Sequence, residues 1–280
     1  MEKLRMHEKK GNGYLITFCG LDGCGKTTML RRTIGELEGI HPLSVTKEPT
    51  DAVRRSDIFR TYMDSPEHGM YEYRSLSLLA ASDRVQHSAQ CVEKAILRGE
   101  TVLSDRYFYS CLANLRARGF RHDKWIYEIS EFVVKPDVAF FFDVPVEVAV
   151  GRVRSRPEEK NRYIDMELQY ALRNEYRDIC KENGGVLIET DGDEDECFER
   201  VRKAEVRKLL HGLTEKKKIG MGDSLREELL LDSMSLVTLL IQFEDTFSVT
   251  LDVDDLNPFM LETVSDVVAL AEKYVGDRDE

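Results

Sequence analysis

Residues 20–28 read Gly20-Leu21-Asp22-Gly23-Cys24-Gly25-Lys26-Thr27-Thr28, a set of types and spacings suited to holding phosphate. Gly20-x-x-x-x-Gly25-Lys26-Thr27 fits the phosphate-binding loop pattern. Glycines let the backbone wrap with its N–H groups turned inward. The positive end of a following helix adds to that field. Lys26 is expected to reach the β- and γ-phosphates, and Thr27 to place its hydroxyl on Mg²⁺. Cys24 reads as one of the loop's variable positions.

Such a loop works only between a strand and a helix. Tyr14-Leu-Ile-Thr-Phe-Cys19 is apolar, β-branched and aromatic, as a buried strand should be, and the chain turns helical after Lys26. The same alternation continues. Further strands are expected at 43–49, 99–105, 136–143 and 185–191. Helices are expected at 51–63, 71–98, 107–117, 125–132, 145–154, 165–183 and 193–210. Strands alternating with helices imply a parallel sheet covered by helices on both faces. Ligands of such sheets bind at the carboxyl ends of strands, where Gly20, Glu48 and Asp105 all fall.

Five segments, in order and spacing, resemble the thymidylate kinases across residues 12–210. They are the loop at 20–28, Thr46-Lys-Glu48-Pro49, Ala80-Ala-Ser-Asp-Arg84-Val-Gln-His87, Leu103-Ser-Asp105-Arg106-Tyr107-Phe-Tyr-Ser110, and Pro136-Asp137 leading to Phe142-Asp143-Val-Pro145. The resemblance implies a P-loop nucleoside-monophosphate kinase using ATP and Mg²⁺, most simply dTMP + ATP to dTDP + ADP, and a homodimer. It implies that Asp105 holds Mg²⁺ together with Thr27 and that Arg106 binds the acceptor's phosphate. It further implies that Arg84 reaches the acceptor's base and Asp22 its sugar hydroxyl, with Glu48 also on the substrate side. Arg154, Arg156 and Arg162 lie where the family has its mobile lid, and Arg162 is the favoured catalytic arginine beside Lys26, Asp105 and Arg106. Arg54 and Arg55 read rather as a solvated helix face.

The departures from the family pattern concern the base pocket. The family usually has an aromatic residue four positions before the arginine, to stack on the base; here it is Ala80. Cys111 replaces a common polar contact, and Ala113-Asn114-Leu115 stands for Ala-Tyr-Gln. The lid's Asp-Arg-x-Glu reads Asn161-Arg162-Tyr163-Ile164. An aromatic stack is worth about 1–3 kcal/mol, so its loss can redirect base choice.

A different chemistry follows. Thr214 to Gly222 is charged, glycine-punctuated and connector-like. Leu231-Asp232-Ser233-Met234 then opens an amphipathic helix with apolar residues at 236, 237, 240, 241 and 247. Thr263-Val-Ser-Asp266 reads as a capping box opening a last helix. Residues 220–275 resemble an acyl or peptidyl carrier protein, a small all-α bundle. That implies 4′-phosphopantetheine on Ser233, with a phosphopantetheinyl transferase and acyl-loading enzymes as partners. Leu230 stands where carriers usually have glycine. The expected division is residues 1–212 and 213–280, with a helix at 193–211 shared by both modules. Phe198 and Val201 form one apolar stripe on it; Val206, Leu209 and Leu210 form another, rotated away.

Charge supports two modules. The chain carries 40 Lys and Arg against 52 Asp and Glu, a net −12. From Gly220 onward there are fifteen acids and three bases, which account for the whole excess. An acidic module argues against nucleic-acid binding. No apolar run is long enough to cross a bilayer, and the charged first ten residues do not read as a secretory signal. Six scattered cysteines without a C-x-x-C pair fit a reducing cytosol better than a disulfide framework. Two other readings stay open: a kinase fold acting as a nucleotide-binding regulator, and a C-terminal module that only docks a partner.

Overall fold

The computed structural model describes residues 2–38, 42–64, 71–160, 162–211, 219–247, 249–258 and 260–276; for 63–64, 205–211 and 275–276 it describes the backbone alone. Asn161, the connector up to residue 218 and the side chains of Val206, Leu209 and Leu210 lie outside the described residues. The chain forms two compact units, Met1–Ile34 with Pro42–Glu194, and Gly35–His41 with Asp195–Glu280.

The first unit is built on a parallel sheet. Its strands are β1 (Tyr14–Gly20), β2 (Leu43–Lys47), β3 (Thr101–Asp105), β4 (Val138–Asp143) and β5 (Val186–Glu189), in the order β2-β3-β1-β4-β5. The chain leaves β1 toward one edge, through β2 and β3, and then crosses to the other side for β4 and β5. A crevice opens where that direction reverses, at the carboxyl end of β1. The register places Phe18 beside Asp105 on one side and Phe140 on the other, and Lys47 beside Asp105. β4 is apolar without alternation because both its faces are covered. Its Phe142 stacks on Phe18 with ring centroids 5.8 Å apart, and Phe140 meets Phe18 at the same separation.

The helices of this unit are α1 (Lys26–Leu37), α2 (Asp51–Arg54), α3 (Asp57–Asp64), α4 (Tyr73–His87), α5 (Glu93–Leu97), α6 (Phe108–Ala117), α7 (Trp125–Ile129), α8 (Val146–Arg154) and α9 (Met166–Glu182). Two differ from expectation. The helix expected over 51–63 is broken into α2 and α3. Ser56 Oγ donates to Val53 O at 2.7 Å and accepts the Phe59 N–H at 3.3 Å, so one serine ends the first helix and starts the second. The helix expected over 71–98 is interrupted by a wide π turn at Ser88–Val92 between α4 and α5. There Ser88 Oγ accepts the Val134 N–H at 3.1 Å. As expected of a proline-led start, α8 follows Pro145; α9 is capped by Asp165, whose Oδ1 accepts the Leu168 N–H at 3.0 Å.

From Glu194 to His211 the chain is one continuous helix, α10. The second unit also contains α11 (Ser233–Phe247) and α12 (Val264–Gly276). Its core gathers Leu225, Leu229, Leu236, Phe243, Val264 and Val267, all nearly inaccessible to solvent. The capping expected at 263–266 is present: Asp266 Oδ2 accepts the Thr263 N–H at 2.7 Å.

Leu230 has φ +56° with 80% of its surface exposed. A leucine there carries left-handed strain without compensating burial, at the position where the carrier pattern has glycine. Leu230→Gly is therefore expected to stabilise the second unit by about 1 kcal/mol in urea denaturation. An unchanged or lower midpoint would count against strain at this residue.

Candidate functional site

The phosphate loop has the backbone its glycines were expected to supply. Gly20, Gly23 and Gly25 take φ of +142°, +84° and +88°. A Cβ at Gly23 would stand 2.1 Å from Ala149 O, so this turn admits glycine only. The loop runs directly into α1, and the Thr28 N–H donates to Gly25 O at 3.0 Å. Thr190, just past β5, fastens the loop from behind: its Oγ1 donates to Cys24 O at 2.7 Å. Nothing in the local sequence around Thr190 announces that contact. Burial pushes the Cys24 thiol's pKa up, which keeps it in the unreactive protonated form.

Three of the expected side chains meet around a fourth, Asp22. Lys26 Nζ lies 3.6 Å from Asp22 Oδ1 and donates to Leu21 O at 3.0 Å. Arg106 donates to Asp22 Oδ1 and, at 3.1 Å, to Gly20 O. Arg162 Nη2 reaches Asp22 Oδ2 at 3.4 Å. Burial raises the Asp22 carboxyl's pKa, but Arg106, Lys26 and Arg162 outweigh it and hold it far below the usual carboxylate range. Asp22 sits deep among protein atoms, yet 41% of its side chain stays open to solvent. Arg162 Nη1 also pairs with Glu159 Oε2 at 3.1 Å, and three cations against these two carboxylates leave net positive charge in the cluster, which suits phosphates.

Arg106 is held in an uncommon way. Its φ is +72°, its N–H donates to Phe18 O at 2.9 Å, and Ser104 Oγ donates to its carbonyl at 2.6 Å. Tyr176 of α9, a residue the sequence motifs did not single out, meets its guanidinium at 3.2 Å. Of the three lid arginines, Arg154 and Arg156 are exposed, and Arg162 is the one paired with Asp22. Arg54 differs from its expected solvated role. It is turned inward, with Nε donating to Pro49 O at 2.6 Å. Burial, then the nearby Arg106, lowers its pKa. Arg55 instead pairs with Asp51 on the exposed surface.

Asp105 ends β3 with its side chain nearly inaccessible. Lys47 Nζ lies 3.2 Å from Oδ2, and Oδ1 is buried without a hydrogen-bond partner. A buried acceptor left unpaired is costly unless something outside the protein completes it. Its carboxylate, with the Thr27 hydroxyl at the start of α1, offers the hard oxygens that Mg²⁺ takes; that ion usually has few protein ligands and finishes its shell with water and phosphate. The residues therefore fit the implied ion.

Glu48 is completely buried. His87 Nδ1 meets its Oε1 at 3.1 Å and Arg84 Nε its Oε2 at 3.1 Å. The Arg84 contact is an ion pair; the guanidinium donates through Nη1 to Ala80 O at 2.9 Å. Glu48 thus stands behind Arg84 rather than at the open face of the crevice. Cys111 packs at 3.6 Å against Ser77, one turn before Ala80 on α4.

In the second unit, Ser233 is the first residue of α11 and is exposed. Asp232 precedes it, and its Oδ1 accepts the Ser235 N–H at 2.7 Å, which lowers its pKa and caps the helix. The cap is made by the neighbour, so the Ser233 hydroxyl is left available for covalent attachment, which suits a phosphopantetheine arm.

The family model described as thymidylate kinase matches residues 18–201. The chain belongs to the thymidylate kinase family. A second model, described as phosphopantetheine attachment site, matches residues 204–271. A probable thymidylate kinase of Thermococcus kodakarensis is 34% identical over 172 residues, 59% of this chain and 83% of that protein. The thymidylate kinase of Oceanobacillus iheyensis is 34% identical over 161 residues, 55% and 70% of the two chains. A probable thymidylate kinase of Methanococcus aeolicus is 32% identical over 201 residues, 70% and 95%. As a thymidylate kinase family member, the chain is a nucleoside-monophosphate kinase fused to a carrier-type domain. Among the described residues no helix is long and apolar enough to cross a membrane.

Asp22→Asn removes the one counter-charge shared by three cations. A carboxyl with a depressed pKa contributes its stability above the ordinary aspartate pKa and loses it only as pH falls through the lowered value. The variant is expected to lose about 1 kcal/mol, a value discounted for the solvent-open side chain. That deficit should persist from pH 7 down to pH 4 in denaturant titrations. It should then shrink below pH 4, where the unfolded carboxyl protonates first; a deficit unchanged from pH 7 to pH 2 would mean Asp22 titrates as an ordinary aspartate.

Proposed function

We propose that the chain transfers the γ-phosphoryl group of ATP to a nucleoside monophosphate, dTMP in preference to others, and carries a 4′-phosphopantetheine arm on Ser233. The observation that carries the kinase reading is the convergence of Lys26, Arg106 and Arg162 on the phosphate loop, beside the unpartnered Asp105 oxygen. The names of the relatives support dTMP.

In this reading the acceptor's phosphate oxygen attacks the γ-phosphorus. A new P–O bond forms, the bond to the β-phosphate oxygen breaks, and ADP leaves. A monophosphate is already ionised at neutral pH, so no strong base is needed. Catalysis is positioning and charge stabilisation. The loop N–H groups and Lys26 hold the donor's phosphates. Arg106 and Arg54 flank the acceptor's phosphate, and Arg162 covers the transferring group. Asp22 spaces these cations before substrate arrives and takes the sugar hydroxyl when it does. Arg84 reaches the base. Asp105 and Thr27 would hold Mg²⁺, which neutralises charge building on the phosphate oxygens.

We further propose that α10 serves both modules. In support, it runs unbroken from Glu194 to His211, and the two family matches end and begin inside it, at 201 and 204. A homodimer, acyl-loading partners and a cytosolic setting complete the reading; they rest on the family resemblances and on the free cysteines.

ADP release with ATP, Mg²⁺ and a panel of monophosphates tests the kinase reading. Turnover is expected to be highest on dTMP and to fall at least about a hundredfold in Lys26→Ala, as for loss of a principal charge-stabilising group. Preference for another monophosphate would tie Ala80 and Cys111 to a redirected base pocket. Activity independent of Lys26 would refute the site. For the second module, a promiscuous phosphopantetheinyl transferase with coenzyme A is expected to add one arm to the chain, read by intact mass, and none to Ser233→Ala. An unmodified wild-type chain would leave α11 as a docking helix.

A further inference from the structure

Glu48, Arg84 and His87 are each more than nine-tenths buried at the carboxyl end of β2, with 0%, 3% and 7% of their surfaces exposed. A buried carboxylate needs both a counter-charge and fixed hydrogen bonds. Arg84 supplies the charge. His87 supplies the direction. It follows Arg84 by three residues on α4, so both side chains emerge on one face of the helix. His87 Nδ1 lies 3.1 Å from Glu48 Oε1, and Nε2 lies 2.7 Å from Thr46 Oγ1.

The chemistry of these groups orders the chain of contacts. An ionised carboxylate only accepts, so the hydrogen toward Glu48 sits on Nδ1. In the neutral ring Nε2 is then the acceptor, and the Thr46 hydroxyl donates to it. Glu48 thereby fixes the tautomer, Thr46 anchors the far nitrogen, and the imidazole pins one carboxylate oxygen. The other oxygen lies 3.1 Å from Arg84 Nε as an ion pair and accepts no hydrogen bond among the described residues, so charge alone ties it to Arg84. The last torsion of a glutamate is broad, so without His87 the carboxylate can turn and Arg84, held otherwise by Ala80 O and Tyr107 O, loses its fixed counter-charge. The network also touches the catalytic end of the crevice, because the Glu48 N–H donates to Asp105 O at 2.9 Å.

We propose that His87 is a positioning residue for the acceptor nucleotide: anchored by Thr46, it orients Glu48 so that Arg84 is aimed at the acceptor. This rests on the reading of Arg84 as an acceptor-binding residue.

Two substitutions of His87 separate positioning from packing. His87→Asn keeps an N–H at the reach of Nδ1, toward Glu48; His87→Gln reaches only the Nε2 position, toward Thr46. They are measured in the full chain with the monophosphate turned over best, by steady-state kinetics, equilibrium binding of that monophosphate, and thermal unfolding. His87→Gln is expected to raise the acceptor's KM and Kd about tenfold, the worth of one charge-assisted hydrogen bond. The KM for ATP, kcat and Tm should stay near wild type. His87→Asn should recover most of the acceptor affinity. In an Arg84→Met background, His87→Gln should add nothing further, since there is no arginine left to aim. Equal losses in the Asn and Gln variants, a parallel rise in the KM for ATP, or an undiminished effect in the Arg84→Met background would each overturn the proposal. An Arg84→Met chain with wild-type acceptor KM would instead overturn the acceptor role of Arg84 itself.

Discussion

Like charges must be held close together at this site before any phosphate arrives. Lys26, Arg106 and Arg162 approach one another because Asp22 stands among them, and Arg106 takes further support from Gly20 O and Tyr176. Much of the local architecture serves that constraint. The loop supplies backbone acceptors, α9 supplies a phenol, and the chain after α8 supplies Arg162. Asp22, with Glu159 on Arg162, orders the three cations without neutralising them. The remainder is a positive field of the kind that attracts phosphates.

Backbone geometry sets where those charges can be. The strand order reverses beside β1, so the ends of β1 and β3 share a single crevice. Arg106 leaves β3 with positive φ, which turns its side chain back across the sheet end toward the phosphate loop. The neighbouring Asp105 keeps its carboxylate at the strand end, with one oxygen unpaired. Consecutive residues of one strand terminus thus present a carboxylate and a guanidinium in different directions. An unstrained continuation of β3 would not give them that divergence.

The two modules solve opposite problems. The kinase crevice buries charge and needs every group fixed, as the complete burial of Glu48 beneath Arg84 and His87 illustrates. The carrier module leaves the residue that opens α11, Ser233, exposed. Asp232 caps α11 so that Ser233 need not, and the apolar core of Leu225, Leu236 and Phe243 holds the helix start in place. Between the segments that match the two families the chain runs as one uninterrupted helix, α10.

The sequence by itself determined the phosphate loop, the alternation of strand and helix, the acidic second module and the serine that opens α11. Each of these is local: a glycine pattern, a hydrophobic period, a run of charge or a short motif carries its physics within a few residues. It also marked Asp22, Lys26, Asp105, Arg106 and Arg162 as one site through a family resemblance. The tertiary structure alone decided which arginines turn inward. Arg54 and Arg55 are adjacent in sequence, yet one caps the buried strand end and the other pairs with Asp51 at the surface. It likewise decided that Thr190 and Tyr176 support the loop and Arg106, across separations of 166 and 70 residues. Such contacts depend on which strand ends and helix faces the sheet order brings together. That order is a property of the packed core, and no short window of sequence contains it.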